Sequence, residues 1–195
     1  MSTGVVVWFT GLPASGKSTL AERVRDRISP GRGCVLLDGD AVRDLLGADR
    51  YDPTDRDELY RVLRELAALI AEQHQVVLVA ATAPLRMHRD LARAIAPAFL
   101  EVWVRTPLEE CEQRDTKGLY ARARAGDAPM LPGVGAPYES PLAPDIVADG
   151  GLDEEAVGII SRRIQTARAP RGTRGRPSSR DRRARHRQTG DRSSS

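Results

Sequence analysis

The sequence predicts a three-layer α/β fold, in which a mainly parallel five-stranded sheet carries helices on both of its faces. Short apolar runs rich in β-branched residues recur along the chain, and the segments between them show helical periodicity. The runs are apolar throughout, which is typical of parallel strands that are buried on both sides. A glycine-rich loop joins the first run to the first helical segment, as is usual at the ligand-binding edge of such a sheet.

The predicted strands are spaced so that helices fit between them. The first helical segment presents Leu20, Val24 and Ile28 on one face, which can cover the sheet. A long helix is expected to begin with the capping-box pattern at Thr54, and a shorter one at Thr106, with proline in the first helical position. The predicted strands are Val5–Thr10, Cys34–Leu37, Val76–Ala80, Phe99–Val104 and a weaker one near Ile146–Val147.

Length and composition predict one globular domain over residues 1–165 and a disordered tail over residues 166–195. With 195 residues and 41% apolar content, the chain can bury one full core. The tail carries ten arginines and two aspartates, a charge of +8, and has almost no large apolar residue to offset its ordering entropy. Because the total charge is +3, the rest carries −5, and we expect no sequence-specific nucleic-acid binding by the folded surface.

The remaining compositional signals favour a cytoplasmic protein. No apolar stretch is long enough to span a bilayer, and no secretory pattern precedes the first strand. Cys34 and Cys111 lack the spacing of a metal or redox motif and are expected to be free thiols. His74, His88 and His186 form no ligand-like cluster, and each is expected at the surface.

The glycine-rich loop matches G-x-x-x-x-G-K-[ST], the pattern of loops that bind the phosphates of nucleoside triphosphates. Backbone N–H groups of such a loop surround phosphate oxygens, and the following helix adds the positive end of its dipole. Lys17 supplies a charge for the β- and γ-phosphates, and Ser18 offers a hydroxyl to Mg²⁺, so a nucleoside triphosphate and Mg²⁺ are the expected ligands. The residues assigned to the triphosphate here are Gly11, Leu12, Pro13, Ala14, Ser15, Gly16, Lys17, Ser18 and Thr19.

A second constellation, Asp38-Gly39-Asp40-Ala41-Val42-Arg43, follows the second predicted strand. In a parallel sheet the carboxyl ends of the strands share one edge, so these side chains are expected to face the phosphate loop. A carboxylate here can accept the proton of an attacking hydroxyl or support Mg²⁺, and Arg43 can bind an anionic group. The third strand ends without a carboxylate, which leaves Asp38 as the metal-supporting candidate. The alternative is an Asp-Gly turn with no chemical role.

Residues 114–138 have the composition of a mobile lid. The basic residues Arg114, Lys117, Arg122 and Arg124 precede a segment rich in glycine and proline. A lid of this kind excludes water and brings positive charge to a transferring phosphoryl group. The alternative is a solvated basic helix followed by a long loop.

The phosphate loop, the D-G-D-x-V-R segment and the R-D-x-K-G-L-Y signature at Arg114 to Tyr120 together resemble adenylylsulfate (APS) kinases. The resemblance covers residues 4–165 and implies a P-loop kinase fold that transfers the γ-phosphate of ATP to the 3′-hydroxyl of adenosine 5′-phosphosulfate, giving PAPS. It implies catalytic roles for Lys17 and Asp38 and places Arg114 and Lys117 of the lid at the ATP. The acceptor-site residues that it implies are Asp40, Arg43, Tyr51, Arg56, Thr82, Lys117 and Leu131. Such kinases are often dimers, so a homodimer is a further expectation.

Several acceptor-site positions depart from the family pattern. Ala41 and Leu59 each stand where the family has asparagine, and Ala81 and Leu131 each stand where it has phenylalanine. Ala83 replaces the serine of the family's F-I-S-P segment, which excludes a phosphoserine intermediate at that position. The losses leave two alternatives to APS kinase activity open: a kinase acting on another nucleotide- or sugar-like small molecule, or a nucleotide-binding module without turnover.

Overall fold

A computed structural model describes residues 3–28, 33–47, 53–128 and 130–167 of the chain. Tyr51 and the tail beyond residue 167 lie outside the described residues, so the assignments made for them stay predictions. No helix in the described ranges combines the length and the apolar character that crossing a membrane requires.

In the described part of the chain, five parallel strands form the sheet, in the spatial order β2-β3-β1-β4-β5. Every strand is followed by at least one helix, which is the connection that parallel pairing requires. The elements in chain order are β1 Val5–Thr10, α1 Lys17–Arg27, β2 Cys34–Asp38, α2 Gly39–Leu46, α3 Pro53–Ala71, β3 Val76–Ala80, α4 Arg86–Ile95, β4 Phe99–Val104, α5 Leu108–Gln113, α6 Leu119–Arg124, β5 Ile146–Ala148 and α7 Glu154–Thr166.

Alternate residues of β1 point to two separate apolar clusters, one on each face of the sheet. Val5, Val7 and Phe9 pack with α1 and α7 on one face, while Val6 and Trp8 pack with α3 and α4 on the other. All five side chains are at most 1% exposed. Burial on both faces explains the uninterrupted apolar runs, and the predicted three-layer architecture is confirmed.

The structure corrects three local expectations. Pro107 is the N-cap of α5 and not its first helical residue, because its ψ of 148° is not helical although its carbonyl accepts the Cys111 N–H at 3.0 Å. His88 is buried and not at the surface, since its Nε2 pairs with Asp57 at 2.9 Å. Helix α2 begins directly after Asp38, so the Asp38–Arg43 segment, for which a turn was the alternative expectation, is largely helical.

Candidate active site

The phosphate loop, residues 11–18, connects the central strand β1 to α1 and is held from two sides. Gly16 has φ +95°, and a Cβ on this residue would lie 2.6 Å from the Gly151 nitrogen, so glycine is required both by the backbone conformation and by the close approach. On the other side, Thr106 donates to the Ser15 carbonyl at 2.8 Å from the end of β4. The loop is therefore shaped before any phosphate binds.

Lys17 lies inside this loop. Its Nζ donates to the carbonyls of Gly11 (3.1 Å) and Leu12 (2.7 Å). Burial lowers the pKa of Lys17 to about 8, although the nearby acids, Asp40 foremost, act in the opposite direction. A partly desolvated ammonium group at the start of a helix is a strong point charge for phosphate oxygens, since little water screens it.

Asp38 connects the loop to the next strand. The Ser18 hydroxyl donates to Asp38 Oδ2 at 2.6 Å, and Asp38 Oδ1 accepts the backbone N–H groups of Asp40 (2.9 Å) and Ala41 (3.4 Å), which caps α2. A hydroxyl and a carboxylate side by side are the small set of oxygen ligands that suits Mg²⁺, which keeps several waters and substrate phosphates in its shell. The two residues fit a Mg²⁺ site.

The predicted lid residue Lys117 contacts the acceptor side of the site. Its Nζ lies 2.6 Å from Asp40 Oδ2. Asp115 shapes the segment by accepting the N–H groups of Lys117 (3.2 Å) and Tyr120 (2.8 Å). The buried Tyr120 then donates its hydroxyl to the Pro13 carbonyl (2.9 Å), so the lid segment is fastened to the phosphate loop.

Two buried arginines lie on the acceptor side. Arg43 is 7% exposed and Arg56 is 9% exposed. Arg56 donates to the Met130 carbonyl at 2.8 Å, so α3 is joined to the loop that carries Leu131. Buried guanidinium groups need anionic or carbonyl partners. The charges of Arg43, Arg56 and Asp40 all act on the Tyr60 hydroxyl, so the two arginines lie in the same region as Asp40.

The loop over residues 130–136 reaches the phosphate loop as well. The loop forms a tight turn in which the Leu131 carbonyl accepts the N–H groups of Val134, Gly135 and Ala136. Gly133 lies so close to Leu12 that a Cβ would be 2.7 Å from the leucine side chain. Leu131 thus stands on a compact turn between the phosphate loop and Arg56.

The segment after β3, residues 81–84, forms another side of the site. The Thr82 carbonyl accepts the Thr10 hydroxyl at 2.6 Å, and a Cβ on Gly39 would lie 3.1 Å from the Ala81 methyl group. The segment is therefore packed between the end of β1 and the turn that carries the two aspartates.

The fold brings the described sequence-predicted residues together, and Tyr51 lies outside the described residues. Thr19 is exposed in the first turn of α1, where its Cβ would lie 3.0 Å from a Cβ added to Gly151. Arg114 pairs with Glu110 at 2.8 Å, and a Cβ added to Gly150 would lie 3.6 Å from both Arg114 Nη1 and Thr106 Oγ1, so Arg114 is near the phosphate loop that Thr106 holds. The remaining phosphate-loop residues lie with Asp38, Asp40, Lys117 and the two arginines at the carboxyl edge of the sheet.

Sequence reasoning missed the side chains that hold the site in shape. Thr10, Thr106 and Tyr120 each bind a backbone carbonyl of the site. Thr10 and Thr106 stand at or near the end of a strand, which is the position that could have identified them. Leu59, which replaces a family asparagine, is 2% exposed and belongs to the apolar core between the sheet and α3.

Comparison with known proteins identifies the family. The family model for adenylylsulphate kinase matches residues 3–149. The adenylyl-sulfate kinase of Paraburkholderia xenovorans is 45% identical over 149 residues, which cover 75% of this chain and 83% of that protein. The bifunctional enzyme NodQ of Azospirillum brasilense is 46% identical over 170 residues, covering 81% of this chain, and the match spans only 27% of that longer protein.

A solved structure shows the same fold around nucleotide and acceptor. The Mycobacterium tuberculosis APS kinase CysC in complex with AMPPNP and APS superposes with a TM-score of 0.75 at 41% identity, covering 86% of this chain and all of that one. The expected P-loop kinase fold and kinase class are thereby confirmed. The chain belongs to the adenylylsulphate kinase family.

Proposed function

We propose that this protein transfers the γ-phosphate of ATP to the 3′-hydroxyl of adenosine 5′-phosphosulfate and so produces PAPS. The observation that carries the proposal is the pair of buried arginines, Arg43 and Arg56, beside a complete phosphate loop. Because buried guanidinium groups favour anionic ligands, the acceptor is expected to bring a negative charge, as the phosphosulfate does. The likeness to a kinase solved with APS supports the same acceptor.

The ATP side of the reaction rests on the phosphate loop, residues 11–18. The ammonium group of Lys17 offsets the negative charge of the β- and γ-phosphates. When ATP binds, the hydrogen bonds of Lys17 to the Gly11 and Leu12 carbonyls must be replaced by hydrogen bonds to phosphate oxygens. Ser18 and Asp38 would hold Mg²⁺, which when bound offsets the negative charge of the phosphates. The lid residues Arg114 and Lys117 are proposed to add positive charge from the opposite side.

We propose different roles for the two aspartates, metal binding for Asp38 and proton acceptance for Asp40. Both oxygens of Asp38 are engaged, one with Ser18 and one as the cap of α2, which supports a metal-holding role. Asp40 is bonded through its side chain to the exposed Lys117, and it is the acid that acts most strongly on Lys17. We therefore propose that Asp40 faces the acceptor and can receive the proton of the attacking hydroxyl once Lys117 has moved to the phosphates. A base role for Asp38 remains the alternative.

Direct transfer is proposed, without a phosphorylated enzyme at the segment after β3. Ala83 has no hydroxyl and is fully buried, so it can neither accept nor donate a phosphoryl group. The attacking oxygen must then come from the small molecule itself, and the reaction reduces to positioning and charge stabilisation.

A different small-molecule acceptor is the second candidate. Ala81 and Leu131 leave the two family phenylalanine positions without a ring, which weakens stacking on an adenine base. A nucleotide- or sugar-like molecule with an anionic group would keep the arginine contacts and need no such rings.

ATP as the donor supports a cytoplasmic location. An APS kinase from Thiobacillus denitrificans is hexameric, and a homodimer stays our prediction for this chain.

The experiment is a comparison of acceptors with one purified protein. ADP release is followed with ATP and Mg²⁺ in the presence of APS, of adenosine 5′-phosphate, or of no acceptor, and Lys17→Ala serves as the inactive control. We expect ADP release that depends on APS and is lost in the variant. Release with another hydroxyl compound but not with APS would retain the kinase and reject APS as its substrate.

A further inference from the structure

The segment that leaves β3, residues 81–84, contains a strained residue. Ala83 is fully buried and has φ +40°, in the left-handed region that residues with a Cβ rarely adopt. Such a conformation persists only where the surrounding structure holds it. The neighbours of Ala83 therefore decide where this side of the site lies.

Three side chains from three different elements hold the segment. Arg89 of α4 donates to the Ala83 carbonyl, and Thr10 of β1 donates to the Thr82 carbonyl at 2.6 Å. Tyr60 of α3 accepts the Ala83 N–H with its hydroxyl at 2.9 Å. Arg89 is itself fixed by Glu101 at 2.7 Å. The backbone groups at the strained residue are thus bonded on both sides.

Tyr60 links this segment to the buried arginines. It follows Arg56 by one helical turn, so both side chains lie on the same face of α3. Burial raises the pKa of Tyr60 to about 12, and the charges of Arg43 and Arg56 act in the opposite direction, which places the hydroxyl within their field. The tyrosine is 4% exposed and sits beside Leu59, the residue that replaces a family asparagine.

We propose that Tyr60 is a positioning residue for the phosphate acceptor: its hydroxyl fixes Ala83, so that Thr82 and the adjoining Asp38–Asp40 turn form a rigid wall of the acceptor site. The inference rests on the proposed function, in which the acceptor binds against this wall and ATP binds at the phosphate loop. It follows that removing the Tyr60 hydroxyl should raise the KM for the acceptor and leave the KM for ATP nearly unchanged.

The test is Tyr60→Phe, because the ring has contacts of its own that this change keeps. The Tyr60 ring lies 4.5 Å from the buried His88 ring, centroid to centroid, and His88 is fixed by Asp57. Tyr120→Phe is the matched comparison, since it also removes one buried hydroxyl that is bonded to the backbone, but at the Pro13 carbonyl of the phosphate loop.

Two quantities are measured in both variants and in the wild type. Amide hydrogen exchange by NMR reports whether the Ala83 N–H has lost its partner, and steady-state kinetics give separate KM values for APS and ATP. In Tyr60→Phe we expect faster exchange at Ala83 and a KM for APS raised about three- to tenfold, as for one lost hydrogen bond, with the KM for ATP within about twofold of wild type. In Tyr120→Phe the KM for ATP should rise more than that for APS.

The outcomes separate this inference from the proposed function. Unchanged exchange at Ala83, or equal rises of both KM values in Tyr60→Phe, would overturn the positioning role. If the wild type shows no APS-dependent turnover, the proposed acceptor is wrong. In that case the KM values are measured with the hydroxyl compound that does support ADP release. A KM raised for that compound but not for ATP in Tyr60→Phe would still support the positioning role of Tyr60, and equal KM values in variant and wild type would reject it.

Discussion

The charge state of Lys17 makes ATP affinity depend on pH in a way that the structure quantifies. Burial lowers the pKa of this lysine to about 8. Because only the ammonium form offsets phosphate charge, the free protein must keep Lys17 protonated to bind ATP well. The sign follows directly: affinity is full below the lowered pKa and is lost as the pH rises through it.

The magnitude follows from the fraction of protein in which Lys17 is charged. With a pKa of about 8, that fraction falls from roughly three quarters at pH 7.5 to about 3% at pH 9.5, so ATP affinity should fall about 25-fold over this range. The measurement is calorimetric binding of ATP with Mg²⁺, without acceptor, between these two pH values. Over this range the triphosphate stays fully ionised, so its own titration does not contribute.

Lys17→Arg is the control, since a guanidinium stays charged throughout. Its affinity is expected to be lower than that of wild type at pH 7.5 but nearly independent of pH. A wild-type affinity that changes less than about twofold would refute the reasoning about Lys17, and so would an equal fall in the arginine variant.

Three further predictions concern the metal, the acceptor and the tail. Asp38→Asn should lower kcat about 10²-fold and raise the Mg²⁺ concentration needed for half-maximal rate, whereas Asp40→Asn should lower kcat at unchanged Mg²⁺ dependence; the same Mg²⁺ titration in both variants would contradict this division. Arg56→Ala should raise the KM for APS far more than that for ATP, and Leu131→Phe should lower the KM for APS by restoring a ring; steady-state kinetics check both, and a rise in Leu131→Phe would argue for a different acceptor. Deleting residues 171–195 should leave ATP-dependent activity and the melting temperature nearly unchanged, and a large loss of either would give the tail a part in the active protein.

The sheet could be predicted because each strand is buried on both faces. Val5 to Thr10 has no exposed position, so its sequence shows an apolar run that has no competing explanation. The phosphate loop and the D-G-D turn could be predicted equally well, because each is a short continuous motif at the end of such an apolar run. Their meeting at Ser18 and Asp38 follows from the shared edge of a parallel sheet.

The contacts that shape the site could not be predicted from the sequence, because they join residues distant along the chain. Arg56 and Met130 are 74 positions apart, and Tyr60 and Ala83 are 23 apart. A polar residue gives no local sign that its partner is a backbone group of another element. His88 illustrates this, as its polarity suggested the surface, while Asp57 and the Tyr60 ring provide partners for it in the interior.

The central claim is that the γ-phosphate reaches the 3′-oxygen of APS. Its most direct test uses ATP labelled with ¹⁸O in the γ-phosphate, together with Mg²⁺, APS and the wild-type protein, and locates the label in the product by ³¹P NMR and mass spectrometry. We predict ADP and a product in which the phosphosulfate is intact and the labelled phosphoryl group is on the 3′-position. Recovery of unchanged APS, while ATP still binds and another hydroxyl compound takes up the label, would contradict it.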